Sequence, residues 1–446
     1  MYIRSLKSNI MRHIITAFAC LLSFSVFGQG WEHTYGGSDD ERGFSVQQTS
    51  DEGYITAGKT DSFGNGSFDV YLIKTDGSGE EQWSQTYGGT GDDVGASVQQ
   101  TSDGGYIIAG WTYSFGNESS DVYLIKTDEN GLEQWSQTYG GTNHDGGHSV
   151  QQTTDGGYII CGYTKSFGVF HDAYLIKTDG NGIEQWSQTF DGYGSFDGFS
   201  SVQQTTDDGY IMCGYTDNYI DNYSDDDVYL IKTDVNGVEQ WSQTYNFSNN
   251  EYGYSVDQTT DGGYIIVGTL EPLSGSIMSG IVLIKTDSYG NQQWYQYYSV
   301  SNYEYGESVQ QTSDGGYIIC GHSGYFVSSN QDVYLIKTDG EGVEQWSQTY
   351  GETDTTDMGI SVQQTIDGGY IVGGTSSSIE TGDDIYLIKT DSEGTLSSSF
   401  TMHTLSSNKK LEKVIDALGR EVNHTTKQIL FHIYDDGSVE KKFVVE

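Results

Sequence analysis

Short apolar or alternating runs, cut by glycine and aspartate, make up most of this chain. Residues 97–101 read Ser-Val-Gln-Gln-Thr, 106–112 Tyr-Ile-Ile-Ala-Gly-Trp-Thr, 121–127 Asp-Val-Tyr-Leu-Ile-Lys-Thr and 133–139 Glu-Gln-Trp-Ser-Gln-Thr-Tyr. Each run is rich in β-branched and aromatic residues and bounded by turn formers, which predicts four strands. The steps between the first and second and between the third and fourth are Ser102-Asp103-Gly104-Gly105 and Asp128-Glu129-Asn130-Gly131. Asp-Gly and Asn-Gly supply the positive φ that tight antiparallel hairpins need. No helical period interrupts the pattern.

The unit recurs. Trp31, Trp83, Trp135, Trp186, Trp241, Trp294 and Trp346 are spaced 52, 52, 51, 55, 53 and 52 residues apart, and seven lysines from Lys74 to Lys389 end the same Tyr-Leu-Ile-Lys-Thr-like run. A period near fifty with four short strands predicts an all-β, seven-bladed propeller over residues 29–400. The chain enters this region on a fourth-type strand, residues 31–37, with no first three before it. The seventh repeat has the other three but continues Thr-Leu-Ser-Ser-Ser-Phe without a tryptophan. The N-terminal strand is therefore expected to complete the last blade and close the ring, which hides sheet edges.

Strand direction sorts the loops onto two faces. The first-to-second and third-to-fourth turns are short and uniform, and define a bottom face. The second-to-third and fourth-to-first loops vary in length and chemistry on the top face, where binding sites tend to lie. Aromatics there (Phe63, Phe115, Phe167, Tyr219 and Tyr325) are candidate ligand contacts. An acid precedes each first strand (Glu41, Asp93, Asp145, Asp197, Glu251, Glu304, Asp357), and a second opens the third strand (Asp69, Asp121, Asp172, Asp227, Asp332, Asp384), with Gly280 in the fifth repeat. Each blade is thus expected to offer two carboxylates near one rim. Two readings follow: oxygen-only sites for Ca²⁺, or caps for loop amides and partners for the repeated lysine. In the third repeat His144, His148 and His171 join Asp145 and Asp172 on the same face. They are a candidate transition-metal set or simply exposed histidines. Glutamine pairs such as Gln47/Gln48 and Gln99/Gln100 mark the first strands; they either bond between blades or line a ligand channel.

Composition narrows the function. The chain has 60 glycines and one proline, Pro272, and residues 29–400 hold 56 of its 63 acidic but only 10 of its 20 basic residues, a net of −46. Such a field repels nucleic acid, anionic membranes and polyanionic glycans. Sialidase chemistry needs an arginine cluster, and this region contains only Arg42. Neither a nucleophile elbow nor a phosphate-cradling loop is present. Cys161, Cys213 and Cys320 share one repeat position with Ala57, Ala109 and Val267, as core filler would. A non-enzymatic binding or scaffold module for a glycan or protein is the expectation. The alternative is a hydrolase or oxidoreductase with one site at the third blade or in the central channel.

The repeat resembles bacterial propellers with tryptophan-docking blades, such as the quinoprotein-like scaffolds, through Asp76, Gly79, Trp83 and Gly88. The Asp-to-Gly spacing is one residue shorter than in that pattern, so the resemblance implies architecture and no cofactor; the Asp box of sialidases is similar in the same limited way. Residues 1–28 read as a signal peptide: Arg4, Lys7 and Arg12 precede the apolar stretch Ile14 to Phe27, and translation starts at Met1 or Met11. No transmembrane segment is expected in the mature protein. Residues 401–446 change character, with seven basic and seven acidic residues. Their Lys410-Leu411, Leu418-Gly419-Arg420-Glu421, Asp436-Gly437 and Lys442-Phe443-Val444-Val445 resemble the C-terminal sorting domain of the type IX secretion system of Bacteroidetes. That resemblance implies a secreted or surface-held bacterial protein whose tail engages the secretion machinery. The Tyr-Pro-Asn-Pro opening of those domains is missing here.

Overall fold

In the computed structural model, residues 30–396 are described except 169, 193–195, 218–225, 248–249, 272–278, 302, 325–330, 353–354 and 379–381; the strands between 411 and 444 are described as backbone. The expected signal peptide, and Tyr219 and Tyr325, lie outside the described residues. Among the described residues no helix is long and apolar enough to cross a membrane. The chain divides into two compact units, residues 1–398 and 399–446. The second contains a three-stranded antiparallel sheet, β29 (Leu411–Asp416), β30 (Gln428–Tyr434) and β31 (Val439–Val444).

The first unit is a seven-bladed β-propeller. The N-terminal strand β1 (Trp31–Tyr35) is followed by the first blade, β2 (Glu41–Gln48), β3 (Tyr54–Thr60), β4 (Asp69–Thr75) and β5 (Glu81–Tyr87), paired antiparallel in chain order. The second blade repeats it as β6 (Asp93–Gln100), β7 (Tyr106–Thr112), β8 (Asp121–Thr127) and β9 (Glu133–Tyr139). Blades three to six follow as β10–β13 (145–190), β14–β17 (197–245), β18–β21 (250–298) and β22–β25 (303–350). The last blade is β26 (Thr356–Gln364), β27 (Tyr370–Ser378) and β28 (Gly382–Thr390), and β1 supplies its outer strand, with Trp31 opposite Lys389. First strands begin four or five residues earlier than the polar pattern implied, at the acid or the residue before it. A bulge at one residue, as between Gly95 and Ser97, breaks the alternation that would have revealed them.

Blades adhere because second and third strands bury apolar side chains on both faces. Ile55, Ala57, Val70 and Leu72 of the first blade pack with Val98, Tyr106, Ile108 and Ile125 of the second. Equivalent clusters fill the other seams, and Tyr35, Val46, Tyr54, Ile73, Ile371 and Leu387 join last blade to first. Cys161, Cys213 and Cys320 are buried, free thiols in this filling. Each tryptophan lies across a seam: Trp83 is 5.8 Å from Tyr106 of the next blade and Trp135 is 5.9 Å from Tyr158. Gly131, at φ +75°, meets the Trp83 ring where any side chain would collide, so this turn requires both a left-handed residue and the smallest one. Tyr87 Oη donates to the Gly131 carbonyl at 2.5 Å and fixes the same junction.

The bottom face absorbs the repeated lysines. Lys126 Nζ lies 3.0 Å from Asp103 in its own blade's first turn, and all seven lysines pair in this way at 2.9–3.0 Å. They do not face the top acids.

Closure rests on β1. Deleting residues 29–37 should remove the Trp31 contact with Tyr54 and the bond from Tyr35 Oη to Gly79 O, leaving β28 an open edge. The expected cost is ~3–5 kcal/mol, as for loss of a large buried aromatic, together with concentration-dependent association. Thermal melting and size-exclusion chromatography check this; an unchanged melting temperature in a monomeric product would contradict ring closure by β1.

Candidate functional site

The channel is lined by Val and Gln (once Asp) of the seven inner strands. The inner edge of each of these strands has no neighbouring strand, and side chains of adjacent blades serve it instead. Gln47 Oε1 accepts from Gln100 N of the next blade at 2.6 Å, and Ser45 Oγ from Val98 N at 3.2 Å. In the reverse direction Gln100 Oε1 accepts from Ser50 N at 2.8 Å. These bonds run round the whole ring, with Asp257 standing in for a glutamine and accepting from Gln311 N and Gln203 Nε2 at 2.9 Å each. The glutamine oxygens that could bind a channel ligand are therefore engaged between blades.

The top acids are arranged differently from the expected two per blade on an open rim. Most are buried, Asp332 and Asp384 being half-buried, and they pair across seams. The third-strand acid of one blade meets the first-strand acid of the next around a glycine at the end of the outer strand. Asp69 and Asp93 flank Gly88, Asp121 and Asp145 flank Gly140, Asp332 and Asp357 flank Gly351, and Asp384 and Glu41 flank Gly36; a side-chain carbon on any of these glycines would overlap carboxylate oxygens. Backbone bonds hold the pairs in place, Asp93 N donating to Phe68 O and Asp145 N to Ser120 O.

Several of the oxygens also cap loops. Asp93 Oδ2 accepts from Gly89 N at 2.8 Å and Ser114 Oγ at 2.6 Å. Asp145 accepts from Gly141 N, Ser166 Oγ and Thr164 Oγ1. Glu41 accepts from Gly37 N and Thr60 Oγ1 at 2.6 Å, and Asp121 Oδ2 from Asn117 N at 2.6 Å. Asp121 Oδ1 is buried without a partner. Burial, offset partly by the loop amide and reinforced by the facing acid, raises Asp69 and Asp121 above the ordinary carboxylate range.

The three histidines do not converge on one point. His144 Nδ1 is 2.7 Å from Ser119 Oγ, and His148 Nδ1 donates to Phe199 O at 3.0 Å, burial lowering its imidazole below the ordinary histidine range. His171 stacks on Tyr163 and contacts Phe196, and burial lowers it to about 4. Trp111, His148, Tyr163, His171 and Phe196 form a chain of aromatic contacts over blades two to four, and His144 lies instead against Tyr113. Among the described residues, the convergent group with metal-binding chemistry is instead Asp172, Asp191 and Asp197, whose oxygens lie within 4.8 Å of one another. Reading the sequence missed Asp191 because it occupies the position of Gly36, Gly88 and Gly140, outside both acid series.

Phe63, Phe115 and Phe167 repeat one arrangement. Each stands 43–54 % exposed, its ring 5.5–5.7 Å from a buried Tyr71, Tyr123 or Tyr174 of the third strand.

No family model matches the chain. A stretch of 166 residues is 29 % identical to the regulatory protein FlaEY of Caulobacter vibrioides, covering 31 % of this chain and 17 % of that protein. The chain therefore spans less than a fifth of that relative. Among solved structures, a polysaccharide lyase of the PL25 ulvan lyase kind is similar over 82 % of this chain and 98 % of its own, with 11 % identity and a TM-score of 0.56. A puromycin hydrolase is similar over 89 % and 59 %, with 12 % identity and a TM-score of 0.50. At such identities the likeness is one of propeller fold.

The acids give stability a definite pH dependence. Asp155, Asp261 and Asp314 are lowered to about 2, because bonds from Thr, Gly N and the lysine outweigh burial. A depressed group stabilises above the unfolded value near 3.9 and loses that contribution as pH falls towards 2. Asp69, Asp121, Asp172 and Asp332 are raised, and Glu307 is pushed up by burial to about 7. Raised acids destabilise when forced to ionise, so protonating them relieves the fold. The melting temperature should rise from pH 8 to about 5 as Glu307 takes up its proton and fall below about pH 3.5 as the lysine-paired acids are neutralised; a steady fall from pH 8 to 5 in a calorimetric series would contradict the raised, buried Glu307.

Proposed function

We propose that this protein works outside the cell as a non-catalytic binding module that holds a neutral glycan against the top face of its propeller. The carrying observation is the repeated pair of an exposed Phe on a buried Tyr in three successive blades. Aromatic faces at a regular interval suit a polymer of regular repeat, because each ring stacks on one sugar face while the underlying tyrosine keeps it from turning. The net charge of −46 on residues 29–400 favours an uncharged chain over an anionic one. Near-identity of the blades favours several weak equivalent contacts, which gain affinity through multivalency, over one asymmetric catalytic pocket. The channel offers little to a substrate, since its glutamine oxygens are committed to backbone amides. An extracellular site of action is supported by the basic-then-apolar N-terminus and by the tail over residues 401–446, which on this reading engages a secretion machinery.

Retention on insoluble neutral polysaccharides and a glycan array test the reading. The mature chain should bind a neutral glycan, and Phe115→Ala with Phe167→Ala should weaken binding by at least ~10-fold while leaving the melting curve in place, since both rings are solvent-facing. No binding to any neutral glycan, or capture of a protein ligand alone, would overturn the glycan reading. Equal binding by the double variant would remove the top-face aromatics from it.

A further inference from the structure

Every outer strand of the ring has a blade neighbour on one side only, so its other edge is open backbone. An open edge invites a further strand, and charged side chains are a common block against it. Six of the seven outer strands carry such a charge, Glu32, Glu81, Glu133, Glu184, Glu239 or Glu344. Blade five differs. Its outer strand β21 (Gln292–Tyr298) reads Gln-Gln-Trp-Tyr-Gln-Tyr-Tyr, and no charged residue stands between Asp287 and Glu304. In a body whose net charge is −46, this is an uncharged wall.

The wall is also aromatic. Tyr295 and Tyr297 are 50 % and 43 % exposed, at positions where five other outer strands have Ser and Thr, as at Ser136 and Thr138. Both rings are propped from behind. Tyr295 lies 4.8 Å from Phe247, which follows the outer strand of blade four. Tyr297 covers Gly280, where a side-chain carbon would overlap its ring. The acid missing from this blade's third strand is thus replaced by room for Tyr297. Val300 continues the exposed apolar surface just past the strand. Large exposed side chains beside an open edge, with no charge to repel a partner, mark an interaction surface.

We propose that β21 docks a second copy of this chain, whose own β21 adds antiparallel to form a symmetric dimer. The occupant follows from charge and from symmetry. A second copy carries the same acidic field, so two copies repel wherever acids line the contact. At this outer edge alone they do not. An antiparallel strand pair has a two-fold axis, so one segment meets itself. Residues two apart share a face. In a register that sets Tyr295 opposite Tyr297 of the other copy, all four tyrosines lie on one side of the joined sheet, where cross-strand aromatic pairs add to the backbone bonds. Seven residues a side make a small contact, which sets a weak dimer with a Kd on the order of 10⁻⁵ M. The dimer stands apart from the glycan reading, which uses the top face.

Sedimentation velocity of the purified full chain over ~1–200 µM, a range that brackets that Kd, tests the proposal. A monomer–dimer shift is expected. Raising NaCl from about 50 mM to about 500 mM should strengthen it, as repulsion between the acidic bodies is screened. Tyr295→Ser with Tyr297→Thr gives β21 the residues its counterparts carry, so folding should hold by circular dichroism while association weakens at least ~10-fold. Gln292→Glu restores the missing acid and should weaken association likewise. Thr138→Ala in blade two should leave association unchanged. Monomers throughout, equal association by the tyrosine variant, or an equal loss in Thr138→Ala would each overturn the dimer. A chain that stays monomeric but loses glycan retention in the tyrosine variant would show that a sugar covers this wall instead. Glycan retention by the unaltered chain is read separately, so failure of either proposal leaves the other standing.

Discussion

The inner strand of each blade has one edge with no strand beside it, and the way that edge is satisfied governs the rest of the propeller. Buried amides need partners, and a curved ring of sheets cannot supply them from backbone, because neighbouring inner strands diverge around the channel. The chain answers with Ser Oγ and Gln Oε1 from the adjacent blade, as at Val98 and Gln100. Because donor and acceptor belong to different blades, every repeat must present the same residues in the same register. That requirement makes the repeats alike, and it explains why even the one substitution in the glutamine ring, Asp257, keeps two acceptor oxygens in place.

The same logic assigns roles to the two ends. Bottom turns carry the Asp–Lys pair and the glycine that receives the tryptophan, so they have little freedom to vary. Top loops add bonds of their own across seams, from Ser67 Oγ to Asp92 Oδ1 and from Asp383 N to Asp40 Oδ1, beside the acid pair at their base. Above that pair the sequence varies, giving Phe63, Phe115 and Phe167 on one arc, an aromatic chain through Trp111, His148, Tyr163 and His171 beside it, and a third carboxylate, Asp191, at the seam of blades three and four.

Architecture was legible in the sequence because each blade restates it: tryptophan spacing set the blade number, and the unaccompanied Trp31 strand pointed to closure. The inter-blade role of the glutamines was also readable, since a buried amide pair on an edge has few other uses. What could not be read was the partner of each top acid. Asp121 and Asp145 stand 24 residues apart in different repeats, and nothing in either repeat shows that they meet around Gly140 instead of sharing a rim with acids of their own blade. Asp191 was invisible for the same reason: it belongs to no repeated acid series and acquires meaning only when the seam brings Asp172 and Asp197 to it. The bulge at each inner strand hid its first four or five residues by breaking the two-residue period.

Hydrogen exchange at the inner edge examines the governing constraint most directly. Gln100 N bonds to no strand in the ladder and only to Gln47 Oε1, so in the native protein it should exchange as slowly as neighbouring ladder amides. Gln47→Ala removes the acceptor and leaves an unsatisfied donor, worth ~1–3 kcal/mol. The account predicts exchange at the Gln100 amide at least ~5-fold faster and a lower melting temperature, with the amide of Gln311 on the far side of the ring unaffected. Unchanged protection at Gln100 in that variant would show that inter-blade side-chain bonds do not hold the inner edge, and would contradict the account.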